Sequence, residues 1–297
     1  MMDPRQRQLA SLIVVVTGAL WGLYWLPVRR LAEALPGAWG SLAIVATAAL
    51  LLAPFALRQR RRLAATRPLT LMAIALGGAA FVMYSIGLVY GRVAIVILLF
   101  YLTPVWSTLI GRFWLRWPTP RLRYLAIGVG LGGLLLVLGA DGGVPLPRSL
   151  GDWLGLASGL LWALSSTLIR TRSDSPGPVE GNFVFVLGAV IAAAVLAPLL
   201  APWPDLPPPG AWPDVAGWTL AAAALWWALS LAALLWATSR LEPARLGILL
   251  MSEVLVGVVS AALFVGEALG LREGLGGLLV IMAAMLELWP VRRPARH

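Results

Sequence analysis

The strongest constraint on this sequence is a series of about ten apolar stretches, each close to the ~20 residues that a helix needs to cross a bilayer. Hydrophobic residues make up 60% of the 297 residues, and charged residues make up only 12%. A soluble domain built around one hydrophobic core does not have this composition. The sequence therefore predicts an all-α polytopic membrane protein.

Clusters of charged residues, proline and glycine divide the chain into ten predicted spans, which we call segments 1 to 10. They cover roughly residues 9–34, 38–57, 69–91, 93–115, 122–140, 150–171, 181–201, 213–239, 243–265 and 273–291. The first apolar stretch continues to about Ala34 without a signal-peptide cleavage pattern, so we interpret it as a retained span.

Arginine supplies all 23 basic residues, and its distribution predicts the orientation. With the N-terminus inside, 18 arginines fall on the inner connections, and only five fall outside, at Arg29, Arg30, Arg92, Arg148 and Arg272. The positive-inside rule then predicts that both termini lie on the cytoplasmic side of the membrane. These arginines are interpreted as topological charges that contact anionic lipid head groups. No nucleic-acid-binding module is visible, so no nucleic-acid partner is expected.

The residues of most catalytic and metal sites are scarce. The chain has no cysteine, and its single histidine is His297, which excludes thiolate chemistry, zinc-cysteine sites and a histidine proton relay within the membrane. A lipid-modifying enzyme would need several catalytic groups at one membrane depth, and none is found. We expect a protein that is not an enzyme and has no cofactor and no metal.

Two internal similarities indicate a duplication. The sequence ALWGLYWLPVRR in segment 1 resembles LLWALSSTLIRT in segment 6, with Trp21 opposite Trp162 at a displacement of 141 residues. The sequence YLTPVW in segment 4 aligns with MSEVLV in segment 9 at a displacement of 150 residues. Two matches in the same order predict two related halves, residues 1–145 and 146–297.

Five spans in each half is an odd number, so the second half must enter the membrane from the opposite side. The prediction is ten transmembrane helices arranged as two five-helix inverted-topology repeats. This architecture puts the solute site near the bilayer midplane between the halves, which expose it to each side in turn.

Several features of the chain occur together: ten spans, GALWGLYW and SGLLWALSS at the start of segments 1 and 6, the proline of YLTP, and GEALGLREGLGG between segments 9 and 10. By these features the chain resembles the EamA-type branch of the drug/metabolite transporter superfamily over nearly its full length. Within this branch it is most similar to aromatic amino-acid exporters of the YddG type. The resemblance implies export of amino acids or similar metabolites across a bacterial inner membrane. The chain departs from the branch pattern in having Val254 where segment 4 has Pro104, so the two halves are not expected to kink alike.

Aromatic residues inside the segments are the first candidates for solute binding, because an aromatic wall can stack on a ring without a buried charge. Trp21 and Trp162 occupy matching repeat positions away from the span ends, where interfacial tryptophans usually collect. Further candidates, for which ordinary helix packing is the alternative, are Phe81, Tyr84, Tyr101, Trp227 and Trp236.

Polar candidates accompany these rings. Pro104 removes a backbone donor and is expected to free the carbonyl of Phe100 for a solute. Ser165, Ser166 and Ser252 could bond an amino-acid backbone, or could instead bond neighbouring helices or their own.

Glu253 is the one carboxylate predicted near the midplane. Placing an acid within the bilayer costs free energy, so Glu253 is a functional candidate. It could attract a substrate ammonium or carry a proton, or it could pair within the bundle. Glu180 is expected nearer the inner face, in contact with water.

The predicted function is alternating-access export of aromatic or large neutral amino acids and related amphipathic metabolites, as facilitated flow by a monomer surrounded by lipid. The alternative is a proton-coupled multidrug exporter that depends on Glu253. Glycine pairs, Gly18 with Gly22, Gly128 with Gly132 and Gly155 with Gly159, are interpreted as helix-packing devices.

Overall fold

A computed structural model describes residues 4–116, 120–140, 146–172, 174, 176–238, 240–241, 243–266 and 269–288. Every long element in these ranges is a helix. The arginines at 292–296, His297 and Glu267 lie outside the described residues.

The helices follow the predicted segments. Segment 1 comprises Pro4–Gly22 and Trp25–Ala32, segment 2 is Trp39–Arg58, segment 3 is Pro68–Tyr90, segment 4 comprises Val93–Phe100 and Thr103–Phe113, and segment 5 is Arg121–Leu138. Segment 6 is Leu150–Arg170, segment 7 is Pro178–Leu200, segment 8 runs from Pro209 to Thr238, segment 9 comprises Pro243–Leu250 and Ser252–Val265, and segment 10 is Leu271–Leu288. A short helix, Arg60–Ala65, lies between segments 2 and 3.

Nine candidate membrane spans are found in the described part of the chain, each long and apolar enough to cross a bilayer. They correspond to segments 1 to 9. Segment 10 is not among them, and its 18 residues include three charged ones, Arg272, Glu273 and Glu287. The protein is therefore a multi-pass membrane protein with an all-helical fold.

Prolines explain two of the helix interruptions. In segment 1 the helix breaks at Leu23 and Tyr24, where the ring of Pro27 prevents the usual bond to the carbonyl four residues earlier. In segment 4 the break at Tyr101 and Leu102 precedes Pro104 in the same way. Both breaks lie within their spans, away from the ends.

Segment 9 is interrupted although it has no proline at the equivalent position. Its two helices are separated at Met251, which is 150 residues after Tyr101. The two halves are not expected to kink alike, but segments 4 and 9 are interrupted at matching positions, whereas segment 1 is interrupted and segment 6 is continuous. At the break in segment 9 the Met251 N–H donates to the carbonyl of Ile248 at 3.1 Å, and the Ser252 hydroxyl donates to that of Leu249 at 2.9 Å.

Segment 8 contains a nine-residue π-helical stretch, Ala222–Ser230, between two α-helical parts. Wider turns of this kind are rare and shift the side chains that follow to a different face of the helix. Trp226 and Trp227 lie in this stretch and are both buried.

Segments that occupy the same place in the two halves, five places apart in the chain, make equivalent contacts. Segment 3 packs on segment 6 as segment 8 packs on segment 1, and segment 7 packs on segment 3 as segment 2 packs on segment 8. Segments 2 and 7, 4 and 9, and 5 and 10 pack on each other. The halves are therefore interleaved rather than side by side.

Glycines allow the closest of these approaches. A Cβ atom on Gly22 would meet the backbone of Glu253 and Gly257 in segment 9, and one on Gly159 would meet the carbonyl of Phe100 in segment 4. The interpretation of Gly128 and Gly132 as a packing pair is wrong, because nothing lies within 4 Å of a Cβ at either position. In segment 5 the glycines that face neighbouring helices are instead Gly130 and Gly133.

Candidate functional site

A cluster of aromatic rings occupies the interior where the two halves meet, and Phe81 of segment 3 lies at its centre. The Phe81 ring contacts Trp21 and Trp162 edge-on, with ring centroids 5.3 and 5.0 Å apart. It also contacts Phe100 of segment 4 at 5.6 Å and Phe185 of segment 7 at 5.3 Å. Edge-to-face pairs at these separations are favourable. The two tryptophans predicted from the repeat thus contact the same ring.

Tryptophans of segment 8 extend this ring cluster toward segment 1. Trp227 lies 5.9 Å from Trp21, and its indole N–H donates to the hydroxyl of Tyr24 at 2.8 Å. The indole of Trp226 donates to the carbonyl of Leu20 at 2.7 Å. Trp21 donates in turn to the hydroxyl of Ser230 at 2.9 Å. These bonds attach the broken helix of segment 1 to the π-helical stretch of segment 8.

Glu253 lies at the side of the ring cluster, eleven residues into segment 9, and keeps part of its surface accessible. Its carboxylate accepts hydrogen bonds from the hydroxyls of Tyr101 at 2.8 Å and Tyr84 at 3.3 Å. Both tyrosines belong to the first half of the chain. The ring of Tyr84 lies 4.8 Å from that of Phe100, so the carboxylate and the rings form one continuous site.

A second buried polar group lies nearby, on the first three segments. The Tyr24 hydroxyl is 3.2 Å from the hydroxyl of Ser85, which is 2.9 Å from that of Ser41. All three residues are buried. Because each hydroxyl has a partner, these groups join helices without leaving an unsatisfied polar atom.

The predicted serine and proline candidates bond to the protein itself. Ser165 donates to the carbonyl of Ala73 at 2.7 Å, and Ser166 donates to that of Ala163 at 3.1 Å. Ser252 is also bonded to the carbonyl of Val15 at 3.1 Å. The Phe100 carbonyl, expected to be free because of Pro104, accepts the hydroxyl of Thr103 at 2.7 Å. The bonds from Ser165 to Ala73 and from Ser252 to Val15 join different segments, whereas those of Ser166 and of Thr103 to Phe100 stay within one segment.

Trp236 lies apart from the ring cluster. It belongs to a separate apolar group with Ala10, Val14 and Leu250 near the end of segment 8. The Arg240 guanidinium lies 4.0 Å from its ring centroid, a cation–π contact. The structure therefore brings together Trp21, Phe81, Tyr84, Tyr101, Trp162 and Glu253, but not Trp236.

Four aromatic residues in the cluster were absent from the predicted set. They are Tyr24, Phe100, Phe185 and Trp226. A signal existed for Tyr24, which follows Trp21 by three residues and so shares its helix face. No comparable pattern marks Phe185, because segment 7 is apolar around its whole circumference.

Charged residues at the segment ends link the halves. Arg92, before segment 4, forms an ion pair with Glu273 of segment 10. At the other end, the Asp174 carboxylate accepts the backbone N–H of Arg67 and the hydroxyl of Thr70, both at 2.9 Å. The hydrogen bond from the Arg67 backbone is the main cause that lowers the pKa of Asp174.

Glu180, expected to be in contact with water, is instead buried at 1% exposure, with Arg62 at 3.8 Å from its carboxylate. It lies in the first turn of segment 7, where the helix dipole also favours an acid. Among the described residues, no group of three or more His, Cys, Asp or Glu side chains could hold a metal ion.

Interleaved membrane helices around an aromatic and polar interior define the class of a solute carrier. The family model of the EamA-like transporters matches the chain twice, at residues 8–139 and 149–289. The chain belongs to the EamA-like transporter family, within the drug/metabolite transporter superfamily, and is a membrane transporter rather than an enzyme.

A solved structure described only as the crystal structure of a protein is similar over 93% of this chain and 94% of that one. The TM-score is 0.59 and the sequence identity is 18%, which establishes likeness of fold alone. A comparison with curated proteins gives no match.

Proposed function

We propose that this transporter exports aromatic or large neutral amino acids and related amphipathic metabolites across a bacterial inner membrane. The observation that carries the proposal is the Phe81-centred ring cluster with Glu253 at its side. Rings can stack on an aromatic or branched solute, and a carboxylate can accept its ammonium group. A transporter needs such a site to bind small solutes without holding them tightly.

The proposed mechanism is alternating access between two five-helix halves, residues 1–145 and 146–297, that run in opposite directions through the membrane. The two family matches and the equivalent contacts made by segments five places apart support this arrangement. Breaks within segments 1, 4 and 9 supply places where the helices can bend. The arginine distribution supports cytoplasmic termini. We further propose that the monomer is the transporting unit.

Facilitated flow is proposed because Glu253 is the only charged residue away from the ends of segments 1 to 9. A proton relay usually needs several ionisable groups in sequence. The alternative is a proton-coupled multidrug exporter, and the mid-membrane position of Glu253 favours it.

Counterflow into proteoliposomes tests the proposal. Liposomes loaded with unlabelled solute receive labelled tryptophan, phenylalanine, leucine, glutamate or arginine outside, with and without a proton gradient. We expect exchange of the aromatic and large neutral members, unaffected by the gradient. The absence of exchange for every aromatic and large neutral solute tested would overturn the assignment. Gradient-driven accumulation that is lost in Glu253→Gln would establish the alternative.

A further inference from the structure

We propose that the Glu253 site selects solutes by charge, so that an aromatic amine without a carboxylate is a better substrate than the corresponding amino acid. This inference rests on the proposed function and names the solute class within it. It follows from the hydrogen-bonding capacity of the site and from the sign of its charge.

The carboxylate of Glu253 has capacity for more donors. Two carboxylate oxygens accept about four hydrogen bonds, and Tyr84 and Tyr101 supply two. An alkylammonium group carries three donors and a positive charge. It can therefore occupy the remaining positions and neutralise the acid, while the two hydroxyls keep the carboxylate in place.

The central parts of the segments supply no positive charge for a solute carboxylate. Segments 1 to 4 and 6 to 9 contain no arginine or lysine away from their ends, and Glu253 is the one charged residue in their central parts. A carboxylate that enters a ring-lined interior without a cation loses its hydration without compensation, which is costly. An amino acid bound by its ammonium group would bear this cost, and an amine would not.

Three indole groups of the ring cluster already have acceptors within the protein. The N–H groups of Trp21, Trp226 and Trp227 donate to Ser230, Leu20 and Tyr24. The neighbouring serine hydroxyl of Ser165 donates to a backbone carbonyl. A solute carboxylate that takes one of these donors breaks its present bond and leaves the acceptor without its donor.

Aromatic rings that could contact the ring of an aromatic amine lie beside the same carboxylate. Phe100 lies 4.8 Å from Tyr84 and 5.8 Å from Tyr101, ring centroid to ring centroid, and connects both to Phe81. The side chains that would contact the ring of a bound amine are therefore adjacent to the carboxylate that would bind its ammonium group. The preferred solute is an arylalkylamine, with a short chain between its ring and its amino group.

The test is counterflow of tryptamine, tryptophan and tryptophan methyl ester in proteoliposomes at neutral pH. The ester keeps the size of the amino acid but lacks the negative charge. We expect tryptamine and the ester to exchange at least tenfold faster than tryptophan at equal, subsaturating concentration. Glu253→Gln is expected to remove this advantage. The matched control Glu33→Gln changes an exposed acid at the end of segment 1 and should leave all three rates unchanged.

Each outcome is decisive. Charge selection is wrong if tryptophan exchanges as fast as tryptamine, or if the ester exchanges only as fast as tryptophan. The proposed function remains in both cases. If no aromatic solute exchanges at all, the proposed function itself fails. Should Glu253→Gln fail to fold, Tyr101→Phe provides the second variant. Loss of one hydroxyl leaves the carboxylate charged, and we expect the preference for tryptamine to persist.

Discussion

The guanidinium of Arg92 pairs with the carboxylate of Glu273, and this contact joins the start of segment 4 to the start of segment 10. The side chain of Glu273 is only 9% exposed, whereas that of Arg92 is 43% exposed. Glu273 also accepts the backbone N–H of Gly270 at 2.9 Å. A largely buried acid thus depends on a cation from the other half.

Neutralising one partner of this pair should destabilise the protein, because the other charge loses its partner. We expect Arg92→Gln and Glu273→Gln each to reduce stability by about 1 kcal/mol, since the guanidinium is partly in water. The double variant should lose less than the sum of the two. Melting of the purified protein in detergent micelles measures all three.

An exposed pair provides the control for this experiment. Arg30 and Glu33 lie 3.5 Å apart with side chains 57% and 68% exposed, so Glu33→Gln should change stability by less than about 0.5 kcal/mol. Strict additivity of the Arg92 and Glu273 variants would mean that the two residues are not energetically coupled.

Close packing of segments 3 and 7 should be intolerant of a single methyl group. A Cβ on Gly78 would overlap the carbonyl of Phe185, and one on Gly188 would overlap the backbone of Ala75. Because both clashes involve backbone, relief requires the helices to separate. We expect Gly78→Ala and Gly188→Ala to destabilise by about 1–3 kcal/mol or more, measured as loss of monodisperse protein on heating.

Gly132→Ala is the matched control, since it adds the same methyl group where nothing lies within 4 Å. In a helix it should be neutral or slightly stabilising, because alanine favours helix. Equal loss of folded protein in Gly78→Ala and Gly132→Ala would contradict the packing argument.

Acidification should weaken the contact between Asp174 and the start of segment 3. Its pKa is lowered below 3.8 by the Arg67 backbone N–H, so the contact stabilises the folded state fully above the unfolded pKa. The stabilisation is lost as pH falls through the folded pKa. Asp174→Asn should therefore melt at a lower temperature than the parent at pH 7, with a difference that is constant to about pH 5.

Below about pH 4, near the unfolded pKa, the difference should begin to shrink, and it should vanish below the folded pKa, where the parent carboxyl becomes protonated. Melting curves between about pH 2 and pH 7 provide the measurement. If the difference in melting temperature between the parent and Asp174→Asn grew on acidification, the Asp174 carboxylate would not be the group that stabilises the start of segment 3.

The sequence predicts the positions of the segments well because the requirements of a bilayer are simple. Length and apolar composition alone locate nine helices, and the repeat identifies Trp21 and Trp162 as residues that face the interior. A further signal concerns the contact between Arg92 and Glu273. At a displacement of 150 residues Arg92 corresponds to Glu242 and Arg123 corresponds to Glu273, so equivalent positions carry opposite charges.

The remaining features depend on contacts that no local pattern specifies. Segment 9 breaks at Met251 without a proline, and the serine bond found there, from Ser252 to Leu249, also occurs at Ser166 inside the unbroken helix of segment 6. Ser165 and Trp236 are chemically suitable for solute binding, but packing turns one toward Ala73 and the other toward Arg240. The π-helical stretch of segment 8 has no marker residue, so the sequence names Trp227 as a candidate but does not predict that Trp226 also faces the cluster.

The acid at the centre of the molecule comes from one half of the chain and the two phenols that hold it come from the other. At a displacement of 150 residues, Thr103 stands where Glu253 does and Met251 stands where Tyr101 does. A homodimer assembled from either half alone would contain the acid without its phenols or the phenols without their acid. Carrying both halves in one chain therefore permits a division of labour between them that a symmetric dimer forbids.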